Sequence, residues 1–409
     1  MRRIVVKFGG MSVGDGERVR LAARSVVREV ERGAQAAVVV SAMGHTTDEL
    51  LEAARSSTGG SIGPAELDDI LAMGERTSAR IFASALRSLG ADARCIDPAC
   101  EEWPVITDSS FGNARVNLVE TRSRVRKFIL PLLERGTIPV ICGFLGKDAE
   151  GRITTLGRGG SDITAFLIGT CLDADEVILV KDVEGVMSGD PNKVVGSRLL
   201  ESISVEEMRD LARYGARVLH PRALDYKDPK INAKVIHFRH GDLSARGTVI
   251  TGPRGGGMGV SLYEKPLAML TVVGEEMQST PGVLKRAVEP LSKQKINIFG
   301  VSIGPRSFSL YVNKREAKRA IELLHGVVVR NKVMKSVTSE EDIAMIIAES
   351  EKFIETPGVI AKLTEPLARE GINIIEIFSS RASITFFVNW ADRQRAVELL
   401  KKAMMEVGS

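Results

Sequence analysis

Four times before residue 190, a short apolar run ends in a loop of glycine or small polar residues. Arg3 to Lys7 (RIVVK) leads into Phe8-Gly9-Gly10-Met11-Ser12-Val13, and Ala36 to Ser41 (AAVVVS) into Ala42-Met43-Gly44-His45-Thr46-Thr47-Asp48. Thr137 to Cys142 (TIPVIC) leads into Gly143-Phe144-Leu145-Gly146, and Glu176 to Lys181 (EVILVK) into Asp182-Val183-Glu184-Gly185. Runs this short and this apolar read as strands buried on both faces. Helical patterns stand between them. Val19, Ala22, Ala23, Val26, Val27 and Val30 form one stripe that Gly33 ends. Pro64 to Leu89 is a long helix, Val116 to Glu134 is largely helical despite Pro131, Val205 to Arg213 is a helix, and Tyr214 to Pro221 opens the next. Arg94 to Ile96, Ala233 to Phe238 and Thr248 to Thr251 add weaker strands. The alternation predicts an α/β unit over residues 1–252, with a mainly parallel sheet covered on both faces. In such sheets ligands bind beyond the carboxyl ends of the strands. That puts Lys7, Ser41, Lys181 and Asp182 on the ligand side.

The densest candidate is Thr154-Thr155-Leu156-Gly157-Arg158-Gly159-Gly160-Ser161-Asp162, followed by a helix-like run from Ile163 to Leu172. Glycine lets a ligand approach the backbone, and a helix N-terminus offers free N–H groups and a positive dipole to an anion. Arg158 adds a planar fork suited to carboxylate or phosphate. Strand, glycine turn and helix around Lys7 make a phosphate-cradle layout, but neither GxxxxGK[ST] nor GxGxxG is present.

The totals exclude several classes. The net charge is +4 over 409 residues, with 2 Trp, 4 Tyr and no basic block, so a nucleic-acid partner is not expected. No apolar run is long enough for a membrane span. The N-terminal apolar run is too short for a signal peptide. Cys95, Cys100, Cys142 and Cys171 form no CxxC pair, no metal site is expected, and the thiols fit a reducing cytoplasm.

Gly252-Pro253-Arg254-Gly255-Gly256-Gly257 reads as a linker. Beyond it the chain repeats itself at an offset of 76 residues: Thr280-Pro281-Gly282-Val283 recurs as Thr356-Pro357-Gly358-Val359, Glu289-Pro290-Leu291 as Glu365-Pro366-Leu367, and Ile296-Asn297-Ile298 as Ile372-Asn373-Ile374. Each copy reads strand, helix, strand, strand, helix. A doubled α+β unit remote from the glycine loops points to sensing rather than chemistry.

Taken together, KFGG with Ser12-Val13, SAM with Thr47, Gly74-Glu75-Arg76, TTLGRGGSD, DVEGV with Asp190-Pro191, and GARVLHP at Gly215 to Pro221 resemble the aspartate kinases. The paired TPGV…INI units resemble ACT domains. The resemblance implies a three-layer αβα amino-acid kinase fold over residues 1–252. A linker and strand would follow over 253–265, and two ferredoxin-like ACT domains over 266–335 and 336–409. The first ACT unit would be inserted into the second, with a strand near Val260 to Tyr263 given to the C-terminal one. The activity implied is ATP-dependent phosphorylation of the side-chain carboxylate of L-aspartate, with Mg²⁺ carried by the phosphates, on the route to lysine, threonine and methionine.

Matched position by position, the resemblance assigns Lys7, Phe8, Gly9, Gly10, Ser12, Ser41, Lys181, Asp182, Met187 and Arg217 to ATP. It assigns Thr47, Glu75, Arg158, Gly159, Gly160 and Ser161 to aspartate, and catalysis to Lys7, Arg158 and Asp162. An effector amino acid, lysine or threonine, would meet Pro281, Gly282, Val283 and Asn297, and a homodimer or larger assembly would form through the ACT units. The chain departs from the family pattern at Met11, Lys181, Met187, Asn192 and Arg217, mostly on the nucleotide side. Two other readings stay open: an amino-acid-sensing regulatory protein with an inactive kinase domain, and a kinase for a related acidic amino acid.

Overall fold

The computed structural model describes residues 1–216, 218–252, 259–277, 279–354 and 356–407. Arg217 and the linker beyond Gly252 fall outside the described residues. The chain divides into two compact units, Met1–Gly255 and Gly256–Ser409.

Among the described residues the first unit has ten strands: β1 (Arg3–Phe8), β2 (Gln35–Val40), β3 (Ala93–Ile96), β4 (Ile138–Cys142), β5 (Leu145–Lys147), β6 (Ile153–Thr155), β7 (Glu176–Lys181), β8 (Ser202–Ser204), β9 (Asn232–His237) and β10 (Thr248–Thr251). Its helices are α1 (Gly16–Glu31), α2 (Thr46–Ser57), α3 (Pro64–Ser88), α4 (Leu118–Arg124), α5 (Leu130–Glu134), α6 (Gly160–Cys171) and α7 (Val205–Arg213). Eight strands form one sheet in the order β3-β4-β2-β1-β7-β9-β10-β8, and only the β9–β10 pairing is antiparallel. The short β5–β6 hairpin stands apart.

Side chains alternate along β1, which separates the two helical layers. Phe8 meets Phe82 of α3 with ring centroids 5.1 Å apart. On the opposite face α6 lies so close that a Cβ added at Gly169 would be 2.6 Å from Val177 and 3.8 Å from Val5. Lys7 shares its face with Val5 and is therefore directed to the α6 side. From β1 the chain order runs outward both ways, to β2 and to β7, which opens a crevice at their carboxyl ends.

Two expectations need correction, and a third is refined in detail. α6 begins at Gly160 rather than Ile163, so Gly160, Ser161 and Asp162 form its first turn and Gly159, at φ 77°, is its N-cap. Tyr214 to Pro221 does not open an α-helix. Gly215 takes φ 107°, and Pro221, with no N–H to give, begins only a 3₁₀ turn, Pro221–Tyr226. The helix containing Pro131 passes through a π-helical segment, Val125–Ile129, where the Leu130 N–H reaches back to the Val125 carbonyl.

The second unit holds β11 (Gly259–Leu262), β12 (Leu267–Gly274), α8 (Val283–Lys293), β13 (Ile298–Ile303), β14 (Ser307–Asn313), α9 (Ala317–Val329), β15 (Met334–Glu349), α10 (Val359–Arg369), β16 (Ile374–Ser379), β17 (Ser383–Asn389) and α11 (Arg393–Val407). All its pairings are antiparallel. The 16-residue β15 serves both copies. Its first half pairs with β12, and its second half pairs with β17 and with β11. Each copy buries its own core, one around Leu270 and Leu310, the other around Ile346 and Phe386. A third cluster of Leu267, Tyr311, Ile343, Met345 and Phe387 joins the two copies. Its Tyr311 and Phe387 stand at the repeat offset and stack with centroids 3.9 Å apart.

Candidate active site

Lys7 ends β1, Lys181 ends β7, and Asp162 lies in the first turn of α6. The Lys7 Nζ lies 2.8 Å from Asp162 Oδ1, and the Lys181 Nζ lies 2.7 Å from Oδ2. Burial alone would raise the Asp162 carboxyl, but the Lys181 and Lys7 charges prevail and hold it at about 2. Burial pushes the Lys181 ammonium below its usual range. Two cations and one anion leave a net positive charge in a site nearly closed to water. That favours an incoming anion.

Glu75 lies on the buried face of α3. Its Oε1 accepts the Ala42 N–H at 3.0 Å, while its Oε2 is buried with no hydrogen-bond partner among the described residues. Burial lifts this carboxyl to about 7, against the Ala42 hydrogen bond and the Lys7 charge. Gly74 makes the approach of helix to loop possible, because a Cβ there would lie 2.7 Å from the Ala42 Cβ. The two turns after β1 and β2 are joined by the Gly44 N–H to the Gly10 carbonyl at 3.0 Å.

Arg158 is exposed between two left-handed glycines, Gly157 and Gly159, with no ion pair or side-chain hydrogen bond among the described residues. Lys7, Gly10, Ser41, Thr47, Glu75, Arg158, Gly159, Gly160, Ser161 and Asp162 line a single cleft of about 310 Å³. Ten expected residues, up to 155 positions apart in the sequence, thus converge on one place. Phe144, Ala42, Gly44 and Gly157 line it too; all four lie in the loops the sequence singles out, although it assigns them no individual role.

Other expected residues are placed differently. Phe8 is in the core, and the Ser12 hydroxyl donates to the Val180 carbonyl at 3.0 Å, as the Gly9 N–H also does. Asp182 is exposed, and Met187 bridges to Leu199. Beside them His240 Nε2 and Glu184 Oε2 lie 2.7 Å apart, a pairing not foreseen. In the second unit Pro281, Gly282 and Asn297 are exposed and Val283 is buried in the first copy's core. The second copy has a cavity of about 380 Å³ at the start of α10, lined by Phe353, Gly358 and Arg381 among others.

The cleft can hold an amino acid by its ammonium and carboxylate and a phosphate by its lysines. Among the described residues no cluster of three His, Cys, Asp or Glu side chains could hold a metal ion, and no helix is long and apolar enough to cross a membrane.

The model of the amino acid kinase family matches residues 2–237, and ACT domain models match residues 270–327 and 338–402. An aspartokinase of Mycolicibacterium smegmatis is 33% identical over 98% of this chain and 96% of its own length. One from Bacillus sp. (strain MGA3) is 34% identical over 100% of this chain and 98% of its own length. The crystal structure of aspartate kinase from Synechocystis is 28% identical, covers 98% of this chain and 69% of that one, and superposes with a TM-score of 0.82.

Proposed function

Because this chain belongs to the amino acid kinase family, as an aspartate kinase with paired ACT domains, we propose that Lys7, Glu75, Arg158 and Asp162 carry the phosphorylation of aspartate in the cleft above. The donor is ATP and the product 4-phospho-L-aspartate. One observation carries the assignment: the buried, unpartnered Glu75 Oε2 lines the same cleft as the unpaired Arg158 and the ion-paired Lys7. An α-ammonium satisfies the first and an α-carboxylate the second, which directs the side-chain carboxylate at the lysines.

That carboxylate has a reference pKa of about 3.9, so it is already ionised at neutral pH and needs no base. The obstacle is the meeting of an anion with a polyanion. Catalysis is therefore positioning and charge neutralisation. Lys7 meets the phosphoryl group as it moves. Asp162 keeps Lys7 and Lys181 in place, and the N–H groups of Gly10 and Met11 in the turn after β1 face the phosphates, those of Gly9 and Ser12 being bonded to the Val180 and Gly9 carbonyls. Ser41, Thr47, Gly10 and Gly160 complete the walls. Phe8, Asp182, Met187 and Arg217 belong to the nucleotide side by resemblance alone. The acid nearest the phosphates, Asp162, is already taken by two ammoniums, so Mg²⁺ fits as a passenger of the nucleotide, where it neutralises phosphate charge.

The ACT units bind an effector amino acid, lysine or threonine, at Pro281 to Val283 and Asn297. The cavity at the start of α10 offers a second place of the same kind. β13 and β16 each end a row of paired strands, which supports assembly of copies edge to edge. Acyl phosphate trapped with hydroxylamine from Mg-ATP and aspartate, and far less from glutamate, is the expected result. The assay repeated with lysine, threonine and methionine added singly identifies the effector. Folded protein that makes no acyl phosphate from either acid returns the chain to the regulatory reading.

A further inference from the structure

Asp68 lies in the first turns of α3, is 1% exposed, and has no place in the chemistry above. Its Oδ2 accepts the Thr155 N–H at 2.7 Å and the Gly112 N–H at 2.9 Å, and its Oδ1 accepts the Thr155 hydroxyl at 2.9 Å. Thr155 ends β6, three residues before Arg158. Gly112 belongs to the turn that covers the other side of the arginine's loop: a Cβ at Gly157 would lie 2.8 Å from Asn113 Oδ1 and 3.1 Å from the Gly112 carbonyl. One buried carboxylate thus fastens both the strand that leads into the Arg158 loop and the turn packed against that loop. Glu75 lies seven residues further along the same helix, two turns on and on the same face, about 10 Å along the axis.

We propose that Asp68 is a positioning residue that locks the Arg158 loop to α3, and that this lock sets the reach by which the site separates aspartate from an acidic amino acid one methylene longer. The inference rests on the reading of Glu75 and Arg158 as the amino-acid contacts. Aspartate and glutamate present the same α-ammonium and α-carboxylate, so Glu75 and Arg158 cannot tell them apart directly. They differ in how far the side-chain carboxylate extends towards Lys7, which is fixed in the sheet. The anchors of the α-groups must therefore hold still relative to β1. Glu75 is held by Ala42. Arg158 has no partner of its own, so its loop must be held instead, and Asp68 holds it. A displacement of about 1 Å in such a site costs about a hundredfold in rate, and one methylene is commonly worth 10- to 200-fold in discrimination.

The hydrogen bonds also predict which substitution is tolerated. In Asp68→Asn the amide oxygen can keep both backbone donors while the NH₂ donates to the Thr155 hydroxyl, which accepts as readily as it donates. Asp68→Ala loses all three bonds. Thr155→Val loses one and keeps the backbone N–H.

The test measures kcat and KM for aspartate, glutamate and ATP in the wild type and these three variants. Asp68→Ala should raise the aspartate KM about tenfold, leave the ATP KM unchanged, and lower the aspartate-to-glutamate ratio of kcat/KM about tenfold. Asp68→Asn should stay within about threefold of wild type, and Thr155→Val should raise the aspartate KM about fivefold, as expected for one hydrogen bond. Should Asp68→Ala not fold, Thr155→Val and Asp68→Asn decide the matter. An unchanged aspartate KM and selectivity in folded Thr155→Val overturns the proposal. So does a parallel rise in both KM values, or an Asn variant no better than the Ala one. A wild-type protein inactive on aspartate defeats the functional reading as well, whereas an active one with invariant selectivity defeats this inference alone.

Discussion

Lys7 and Lys181 hold opposite oxygens of one carboxylate, Asp162, at 2.8 and 2.7 Å. Their strands are parallel neighbours, so their carboxyl ends stand side by side under the first turn of α6. When a phosphate enters, one ammonium can turn to it while the other keeps Asp162 ionised. Lys7→Ala should reduce turnover about 10²- to 10³-fold with the fold intact, as loss of one preorganised charge does elsewhere. Lys181→Ala should act mainly on the ATP KM. Steady-state kinetics of the two variants separates these roles.

Asp162→Ala leaves two buried ammoniums facing each other. Loss of about 3–5 kcal/mol is expected, measured by urea unfolding, together with loss of activity. The pH dependence has a definite sign. The Asp162 carboxyl lies below its unfolded value of 3.8, so its contribution is complete above that value and is lost as pH falls through about 2.

Glu75 has the opposite sign. Its carboxyl is raised from 4.5 to about 7, so between those values the folded protein holds a proton that the unfolded chain has released. The ligand-free protein should therefore lose about 3 kcal/mol of stability as pH rises from 4.5 to 7. Urea titrations of wild type and Glu75→Gln at pH 5 and 7.5 check this, since the amide variant lacks the dependence. Binding of the α-ammonium needs the ionised carboxylate. The aspartate KM should rise about tenfold for each pH unit below 7, and this slope should vanish in Glu75→Gln.

Arg158→Ala should raise the aspartate KM about a hundredfold and lower kcat. Arg158→Lys should recover only part, because an ammonium cannot reproduce the two-pronged contact. Wild-type aspartate kinetics in Arg158→Ala would remove this residue from the site.

Gly159→Ala places a Cβ 2.4 Å from the His220 Cβ, in a backbone with φ 77°. The left-handed conformation alone costs about 1–2 kcal/mol, and the contact adds to it. Lower thermal stability and a weakened aspartate KM are expected together, read by calorimetry and kinetics.

Much of this was legible in the chain. Strands that end in glycine turns located Lys7, Ser41 and the Gly157–Asp162 loop, because a parallel sheet presents all its carboxyl ends on one side. The repeat announced two like units. What escaped was set by distance along the chain. The Lys181–Asp162 pair spans 19 residues and the Asp68–Thr155 contact 87, and a lone Asp in a helix looks like any solvated residue. The β5–β6 hairpin strands have three residues each, too few for a period to show. The first turn of α6 looks like loop in the sequence because glycine and serine there resemble a turn, although Gly159 supplies the cap that starts the helix early.

The shared strand β15 has a consequence for how the chain is made. β11 is synthesised before any part of the first ACT copy, yet it pairs with β15 at Gly259↔Glu349, beyond that copy's end. On the ribosome its backbone must wait unpaired while a whole domain is translated and folds behind it. The second copy cannot close until its own C-terminal half arrives. For that interval the nascent chain presents an open strand edge, and a second nascent copy nearby could fill it by exchange. The insertion that gives the two ACT copies a common strand also makes the order of synthesis part of their assembly.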